Sequence, residues 1–284
     1  MKINISGKTN LYCVIGDPIS HSLSPMIHNH FFRKKGMDSL YIPLRVTTDK
    51  LSHGLELLKN NFEGFNVTIP HKETIIPYLD EVDENALQYG AVNTVKVVDG
   101  KLCGYNTDGI GFLKSLEQMN ISLDGKRVLL LGAGGAARVV ALEILRKGGE
   151  LTIANRNIHR VQLLKEELGR ICRNSLPIAK PEELKGPFDI IINSTPVGMH
   201  PNIKECPVPQ EALHGSQLIY DMIYNPYQTK LLQLGNQLGI KVINGLPMLL
   251  YQGLKSLEIW TGSTASPDEE REIYEDLRTY FLNS

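Results

Sequence analysis

Short apolar runs alternate with amphipathic stretches along almost the whole chain, the pattern of strands separated by helices. In the first half the strand-like runs are Tyr12–Ile15, Leu40–Leu44 and Gly64–Ile69. Between them the spacing predicts helices over Pro25 to about Lys35 and over Thr48–Lys59, with two short helices further on, interrupted at Pro77. Ser24 is placed to cap the first helix, with Pro25 at its first position and Gly36 to stop it. Pro43 suits an edge strand or a strand end. Val92–Val98 and Lys101–Tyr105 flank Asp99-Gly100, a type I′ hairpin signal. Asp108 then stands where it would cap a helix reaching about Met119.

Ile121–Lys126 reads as a boundary, and beyond it the alternation resumes. Val128–Leu131 is an apolar strand, Gly132–Ala137 a glycine-rich turn, and the helical pattern after it reaches about Lys147. Strands follow at Glu150–Ala154, Ile190–Ile192, Leu218–Tyr220 and Lys241–Ile243. After Gly245 a helix runs to about Trp260, and Ser266-Pro267-Asp268-Glu269 forms a capping box for a last helix ending near Phe281. The expectation is an α/β protein of two α/β domains. Residues 1–120, joined by the helices of 246–284, would form a mainly parallel-sheet domain; residues 121–245 would form a Rossmann-type dinucleotide-binding domain.

The bulk properties narrow the function classes. A length of 284 residues suits two domains, and 42% hydrophobic with 21% charged residues describes an ordinary globular chain. The formal net charge of −1 gives no reason to expect a nucleic-acid or membrane partner. Cys13, Cys103, Cys172 and Cys206 are widely spaced, which fits free thiols in a reducing compartment, and Cys13 lies in an apolar run as a small hydrophobe. No metal site is expected, since the eight histidines show no ligand spacing. Without an apolar run of about 18 residues or a targeting pattern at the start, the expected location is cytoplasmic.

The glycine turn carries the first specific chemistry. In the G-x-G-x-x-A pattern of Gly132, Ala133, Gly134, Gly135, Ala136 and Ala137, the first glycine makes the tight turn and the second lets the backbone approach a pyrophosphate. A strand before it and a helix after it supply the context that a lone glycine triplet lacks. The next strand ends in Asn155-Arg156, with Arg160 one helical turn on, where an NAD site would carry an acidic residue. Two guanidiniums suit a 2′-phosphate, and NADP is the expected cofactor.

In the first half, polar residues collect just after the strands. Ser22 and Ser24 beside a helix start suit a carboxylate, unless Ser24 is only a cap and Ser22 only a loop serine. In Asn66-Val67-Thr68-Ile69-Pro70-His71-Lys72, Asn66 and Thr68 share one face. Lys72 falls in a first helical turn, where the dipole disfavours a cation, so it either extends into solvent or has a partner elsewhere. Asp108 is the candidate partner, with a plain helix cap as its alternative. Such a pair would serve carbonyl reduction, in which hydride reaches carbon while a positioned acid protonates oxygen. Asn93 and Gln252 add neutral hydrogen-bonding groups, so that the set suits a small polyhydroxylated acid.

Taken together, these segments resemble the shikimate dehydrogenase family. The matching motifs are Ser22-Leu23-Ser24, Asn66 to Lys72, Gly90-Ala91-Val92-Asn93-Thr94, Asn106-Thr107-Asp108-Gly109, Gly132–Ala137 and Asn155-Arg156. They continue through Asn193-Ser194-Thr195-Pro196-Val197-Gly198-Met199 and Tyr224-Asn225-Pro226 to Gln252, and so run through nearly the whole chain. The resemblance implies reversible reduction of 3-dehydroshikimate to shikimate by NADPH on the way to aromatic amino acids. It implies two α/β domains with the active site in the cleft, and a monomer or homodimer. By the same resemblance Ser22 and Ser24 bind the carboxylate, with help from Tyr224, while Asn66, Thr68, Lys72, Asn93, Asp108 and Gln252 surround the ring hydroxyls. Lys72 would be the acid/base and Asp108 its partner. Gly132, Ala133, Gly134, Gly135, Ala136, Asn155, Arg156 and Arg160 would hold the adenosine and phosphates, and Thr195, Met222 and Gly245 would line the nicotinamide side. Asn157 stands where the family often has threonine, and Ser24 leans toward shikimate over quinate. The rival readings are a dual quinate/shikimate dehydrogenase and a non-catalytic NADP sensor on the same fold.

Overall fold

The apolar runs become strands of two separate six-stranded sheets. The computed structural model describes residues 5–171, 176–184 and 186–282; Cys172 lies outside them. Contacts divide the chain into two units, one holding it up to Gly111 together with Leu249–Leu282, the other Phe112–Met248.

The first unit begins with β1 (Asn10–Gly16), α1 (Ser24–Lys34), β2 (Ser39–Arg45), α2 (Leu51–Asn61) and β3 (Gly64–Val67). It continues with α3 (His71–Thr74), β4 (Glu81–Val82), α4 (Glu84–Tyr89), β5 (Thr94–Val98), β6 (Lys101–Tyr105) and the start of α5 (Asp108–Glu117). The strand order is β2-β1-β3-β5-β6-β4. β1 is parallel to β2 and β3, and β4 to β6, while β5 alone runs the other way. Pro43, opposite Val14, sits on the edge strand β2, where a missing N–H does least harm. Asp99 and Gly100 take φ of 50° and 72°, as a type I′ turn requires. β3 stops at Val67, two residues before the expected end, although Thr68 N still donates to Ile15 O at 2.9 Å.

The second unit holds β7 (Arg127–Leu131), α6 (Gly135–Arg146), β8 (Glu150–Ala154), α7 (Ile158–Ile171) and β9 (Ile178–Ala179). β10 (Ile190–Asn193), β11 (Leu218–Asp221), α8 (Lys230–Gln237) and β12 (Lys241–Ile243) complete it. All strands are parallel, in the order β12-β11-β10-β7-β8-β9. Counted from β7 this is the doubly wound order 6-5-4-1-2-3, whose ligand crevice lies where the winding reverses, outside the carboxyl ends of β7 and β10. The strands read as unbroken apolar runs because helices cover both faces of such a sheet. Val128, Leu129, Leu130 and Leu131 are all essentially inaccessible. Full burial of such a side chain contributes roughly 1.5–3 kcal/mol.

α9 (Leu246–Thr261) and α10 (Pro267–Leu282) close the chain, and from Leu249 onward they belong to the first unit. Trp260 of α9 donates its indole N–H to Val95 O at 2.9 Å, and α10 meets α1 through His30 and Asp276, 2.7 Å apart. The capping box of α10 forms in full: Ser266 N donates to Glu269 Oε2 at 2.7 Å and Glu269 N to Ser266 Oγ at 3.3 Å. No described helix is long and apolar enough to cross a membrane.

Candidate active site

Lys72 and Asp108 meet in the first unit. Nζ lies 2.6 Å from Asp108 Oδ2, a charge-assisted hydrogen bond, with the lysine side chain 31% exposed and the aspartate 12%. Asn93 Nδ2 donates to the other carboxylate oxygen at 2.8 Å. The expected capping role of Asp108 is not what the structure shows. α5 begins at Asp108, whose N–H donates to Asn106 Oδ1 at 2.9 Å. Asn106 therefore satisfies that backbone donor and leaves the carboxylate free for the lysine. One main-chain and one side-chain bond fix these segments to one another: Val92 N donates to Lys72 O at 2.8 Å, and Asn106 Nδ2 to Ala91 O at 2.8 Å.

Beneath the pair lies a buried polar network. Asn66 is only 5% exposed. Its Oδ1 accepts from Tyr41 OH at 2.7 Å, and its Nδ2 faces Asn93 O, Thr94 Oγ1 and Ser256 Oγ at 3.0–3.1 Å. Ser256 Oγ is 2.8 Å from Thr94 Oγ1 and donates to Gln252 O, one turn earlier on α9, at 3.0 Å. Thr107 N donates to Asn93 Oδ1 at 2.8 Å. Tyr41 stacks on His28 with ring centroids 4.1 Å apart. Burial drives the Tyr41 hydroxyl well above its ordinary pKa and the His28 imidazole down to about 3, so both stay neutral. Tyr41, Thr94, Thr107 and Ser256 are members of this network that the sequence does not single out. Thr94 and Thr107 adjoin Asn93 and Asp108, and Ser256 follows Gln252 at helical spacing, which is the signal that could have found them.

Ser24 also differs from expectation. α1 starts at Ser24, with Leu23 in the cap position and no side-chain cap. Ser22 Oγ accepts from Ser24 N at 3.3 Å, and the buried Ser24 side chain faces the Tyr41 hydroxyl. Thr68 is half-buried, and a Cβ on Gly16 would press into its methyl group and Ile69 O. Gln252 is half-buried, its Nε2 donating to Leu249 O at 2.8 Å.

The second unit carries a groove of about 840 Å³ at the carboxyl ends of β7, β8 and β10. Gly132, Ala133, Gly134, Asn155, Arg156, Arg160 and Thr195 line it. Gly132 has φ of 116°, and a Cβ there would strike Ser194 Oγ, so a side chain is barred twice over. Gly134 has nothing within 4 Å of where its Cβ would stand, leaving room for a ligand against the N-terminus of α6. Gly135 and Ala136 are exposed in the first turn of α6. Arg156 and Arg160 are exposed, and among the described residues no carboxylate pairs with either. Asn157 Oδ1 accepts from Arg160 N at 3.3 Å, so the residue that replaces threonine spends its carbonyl oxygen at the start of α7. Glu182, Glu205 and Cys206 also line the groove, and no sequence signal marks them, since only the folded sheet brings their loops there.

Met222 and Gly245 stand at the ends of β11 and β12, outside that lining. A Cβ on Gly245 would overlap the Met222 carbonyl, so the two backbones touch. Tyr224 is half-buried in the same loop, and burial raises its pKa. Among the described residues no group of three or more His, Cys, Asp or Glu side chains is placed to hold a metal ion.

Comparison with known proteins bears on both units. Residues 14–95 match the family described as shikimate dehydrogenase substrate binding domain, 114–226 shikimate / quinate 5-dehydrogenase, and 245–269 the shikimate 5′-dehydrogenase C-terminal domain. A shikimate dehydrogenase (NADP(+)) of Carboxydothermus hydrogenoformans is 44% identical over 265 residues, covering 92% of this chain and 94% of that protein. A crystal structure of a shikimate dehydrogenase in complex with NADP+ superposes with a TM-score of 0.90 at 40% identity, covering 96% of this chain and 97% of the other. The shikimate 5-dehydrogenase of Thermus thermophilus, in complex with NADP(H) and shikimate, gives a TM-score of 0.86 at 34% identity, covering 94% of this chain and 99% of the other.

Proposed function

The chain belongs to the shikimate dehydrogenase family, and from that membership we propose that Lys72 and Asp108 move the proton in the reversible reduction of 3-dehydroshikimate to shikimate. The protein is an NADP-dependent oxidoreductase of the pathway to aromatic amino acids. The observation that carries the mechanistic reading is the 2.6 Å contact between Nζ and Oδ2, two groups 36 residues apart in sequence.

The first unit binds the substrate and the second the cofactor. Ser22 and Ser24 hold the carboxylate by hydroxyl hydrogen bonds. Asn66, Thr68, Asn93 and Gln252 border the ring hydroxyls. In this role Asn66 acts mainly by shape, because its amide is already bonded on both sides.

The groove of the second unit fits NADP on three counts: the side-chain-free approach at Gly134, the positive φ of Gly132, and two unpaired arginines with no acidic residue at the end of β8. When bound, NADPH supplies the hydride. Gly132, Ala133, Gly134, Gly135 and Ala136 receive the pyrophosphate at the start of α6, while Asn155, Arg156 and Arg160 receive the adenosine and its 2′-phosphate. Thr195, Met222 and Gly245 face the nicotinamide.

Lys72 donates a proton to the carbonyl oxygen as the carbon is reduced, and in the reverse direction takes it back. Asp108 holds the ammonium in line, and Asn93 fixes the carboxylate that does so. Such a positioned acid typically contributes ~10²–10⁴-fold to the rate. Steady-state rates on shikimate and quinate, each with NADP and NAD, test the assignment. Shikimate with NADP is expected to be the fastest pair, and equal rates on quinate would make the protein a dual-specificity enzyme instead.

A further inference from the structure

Asp221 is a buried ionisable group for which the proposed reaction has no use. It ends β11, is fully inaccessible, and among the described residues no lysine, arginine or histidine pairs with it. The titratable group beside it is the Cys206 thiol. Its partners are neutral donors: Thr229 Oγ1 at 2.6 Å, Asn193 Nδ2 at 3.0 Å and Ile223 N at 3.1 Å. Burial pushes its carboxyl up to about 6, so it is mostly ionised at neutral pH. A buried charge with no countercharge is costly to keep, and here the three neutral donors around it offset that cost.

What the carboxylate does is tie the ends of β10 and β11 to the start of α8. Asn193, its parallel neighbour at the end of β10, turns Oδ1 toward Thr195, accepting from N at 3.0 Å and from Oγ1 at 2.6 Å. Thr195 Oγ1 in turn accepts from Val197 N at 3.3 Å. Met222 N donates to Asn193 O at 2.9 Å, and Gly245 N at the end of β12 to Ile223 O at 3.0 Å. Thr229, the third anchor, is the N-cap of α8. In a doubly wound sheet the two halves of a dinucleotide lie on opposite sides of the reversal. Arg156 and Arg160 stand on the β8 side, whereas everything that Asp221 organises stands on the β10–β12 side.

We propose that Asp221 is a positioning residue for the nicotinamide half of the dinucleotide, holding the Thr195 loop at the groove through Asn193. The proposal rests on the NADP reading of that groove and adds a residue to it.

Calorimetric binding of NADP and of adenosine 2′,5′-bisphosphate to the full chain separates the two halves, because the bisphosphate carries the adenosine phosphates without nicotinamide. Asp221→Asn is expected to weaken NADP about tenfold and the bisphosphate by no more than about twofold. Equal loss on both ligands, or loss on neither, overturns the proposal. Asn193→Ala cuts the link to Thr195 while leaving Asp221 bonded to Thr229 and Ile223, and the same selective loss is expected. If Asp221→Asn does not fold, Asn193→Ala decides by the same criteria. If the unaltered chain binds neither ligand, the NADP reading itself fails and takes the proposal with it.

Discussion

The first unit presents its candidate polar side chains already bonded to one another, and the second leaves its two groove guanidiniums unpaired among the described residues. Asn66, Asn93, Thr94, Thr107 and Ser256 are buried and linked, with the Lys72–Asp108 pair and a few half-buried groups above them. Around the nucleotide groove, Gly134, Arg156 and Arg160 are exposed, and among the described residues neither guanidinium pairs with a carboxylate. The difference follows the chemistry of each half. Proton transfer rewards groups held in place before the substrate arrives, because reorganisation during the reaction would be added to the barrier. A cofactor that binds and leaves can instead complete the hydrogen bonding of its own groove. Substitutions in the first unit are therefore expected to act on kcat, and those around the groove on cofactor binding.

The largest effect should come from the pair itself. Lys72→Ala and Asp108→Ala are each expected to lower kcat by about 10²-fold or more, with the double variant hardly worse than either. Additive losses in that cycle would mean that the two side chains do not act as one unit. A middle-sized effect is expected at the groove. Arg156→Ala should raise KM for NADP about tenfold while leaving KM for NAD nearly unchanged, since a charge-assisted bond to phosphate is lost. An equal rise for both cofactors would remove the 2′-phosphate assignment.

A further effect concerns stability rather than turnover or cofactor binding. His28 is neutral in the fold because burial lowers its pKa to about 3, whereas its ordinary value is 6.5. Its contribution is present above pH 6.5 and is lost as pH falls toward 3, where the unfolded chain binds a proton that the native chain refuses. By pH 5 the loss amounts to about 2 kcal/mol. Urea unfolding of His28→Phe against the unaltered chain should show that difference shrinking the acid sensitivity; identical pH profiles would place His28 elsewhere than in the buried stack.

The sequence discloses what is local and misses what the topology assembles. The strand, glycine turn and helix at Val128–Arg146 are legible because each step depends on its neighbours, as is the capping box at Ser266 and Glu269. β4 and β9 escape notice because two residues cannot display a period. Ser24 and Asp108 both read as caps because a polar residue before a helix has two uses that spacing alone cannot separate. In each case a neighbour, Ser22 or Asn106, makes the local bond and frees the other side chain. Ser256 is marked by its helical spacing from Gln252, but its contacts are not. Its partners Asn66, Thr94 and Thr107 lie at least 149 residues away, and only the return of α9 to the first sheet brings them together.

Single-turnover reduction by Lys72→Ala, with shikimate and NADP binding measured separately, tests the central claim most directly. The expected result is hydride transfer slowed about 10²-fold or more, with both ligands bound within about threefold of the unaltered chain. Transfer at the unaltered rate would contradict the assignment of Lys72 as the proton donor.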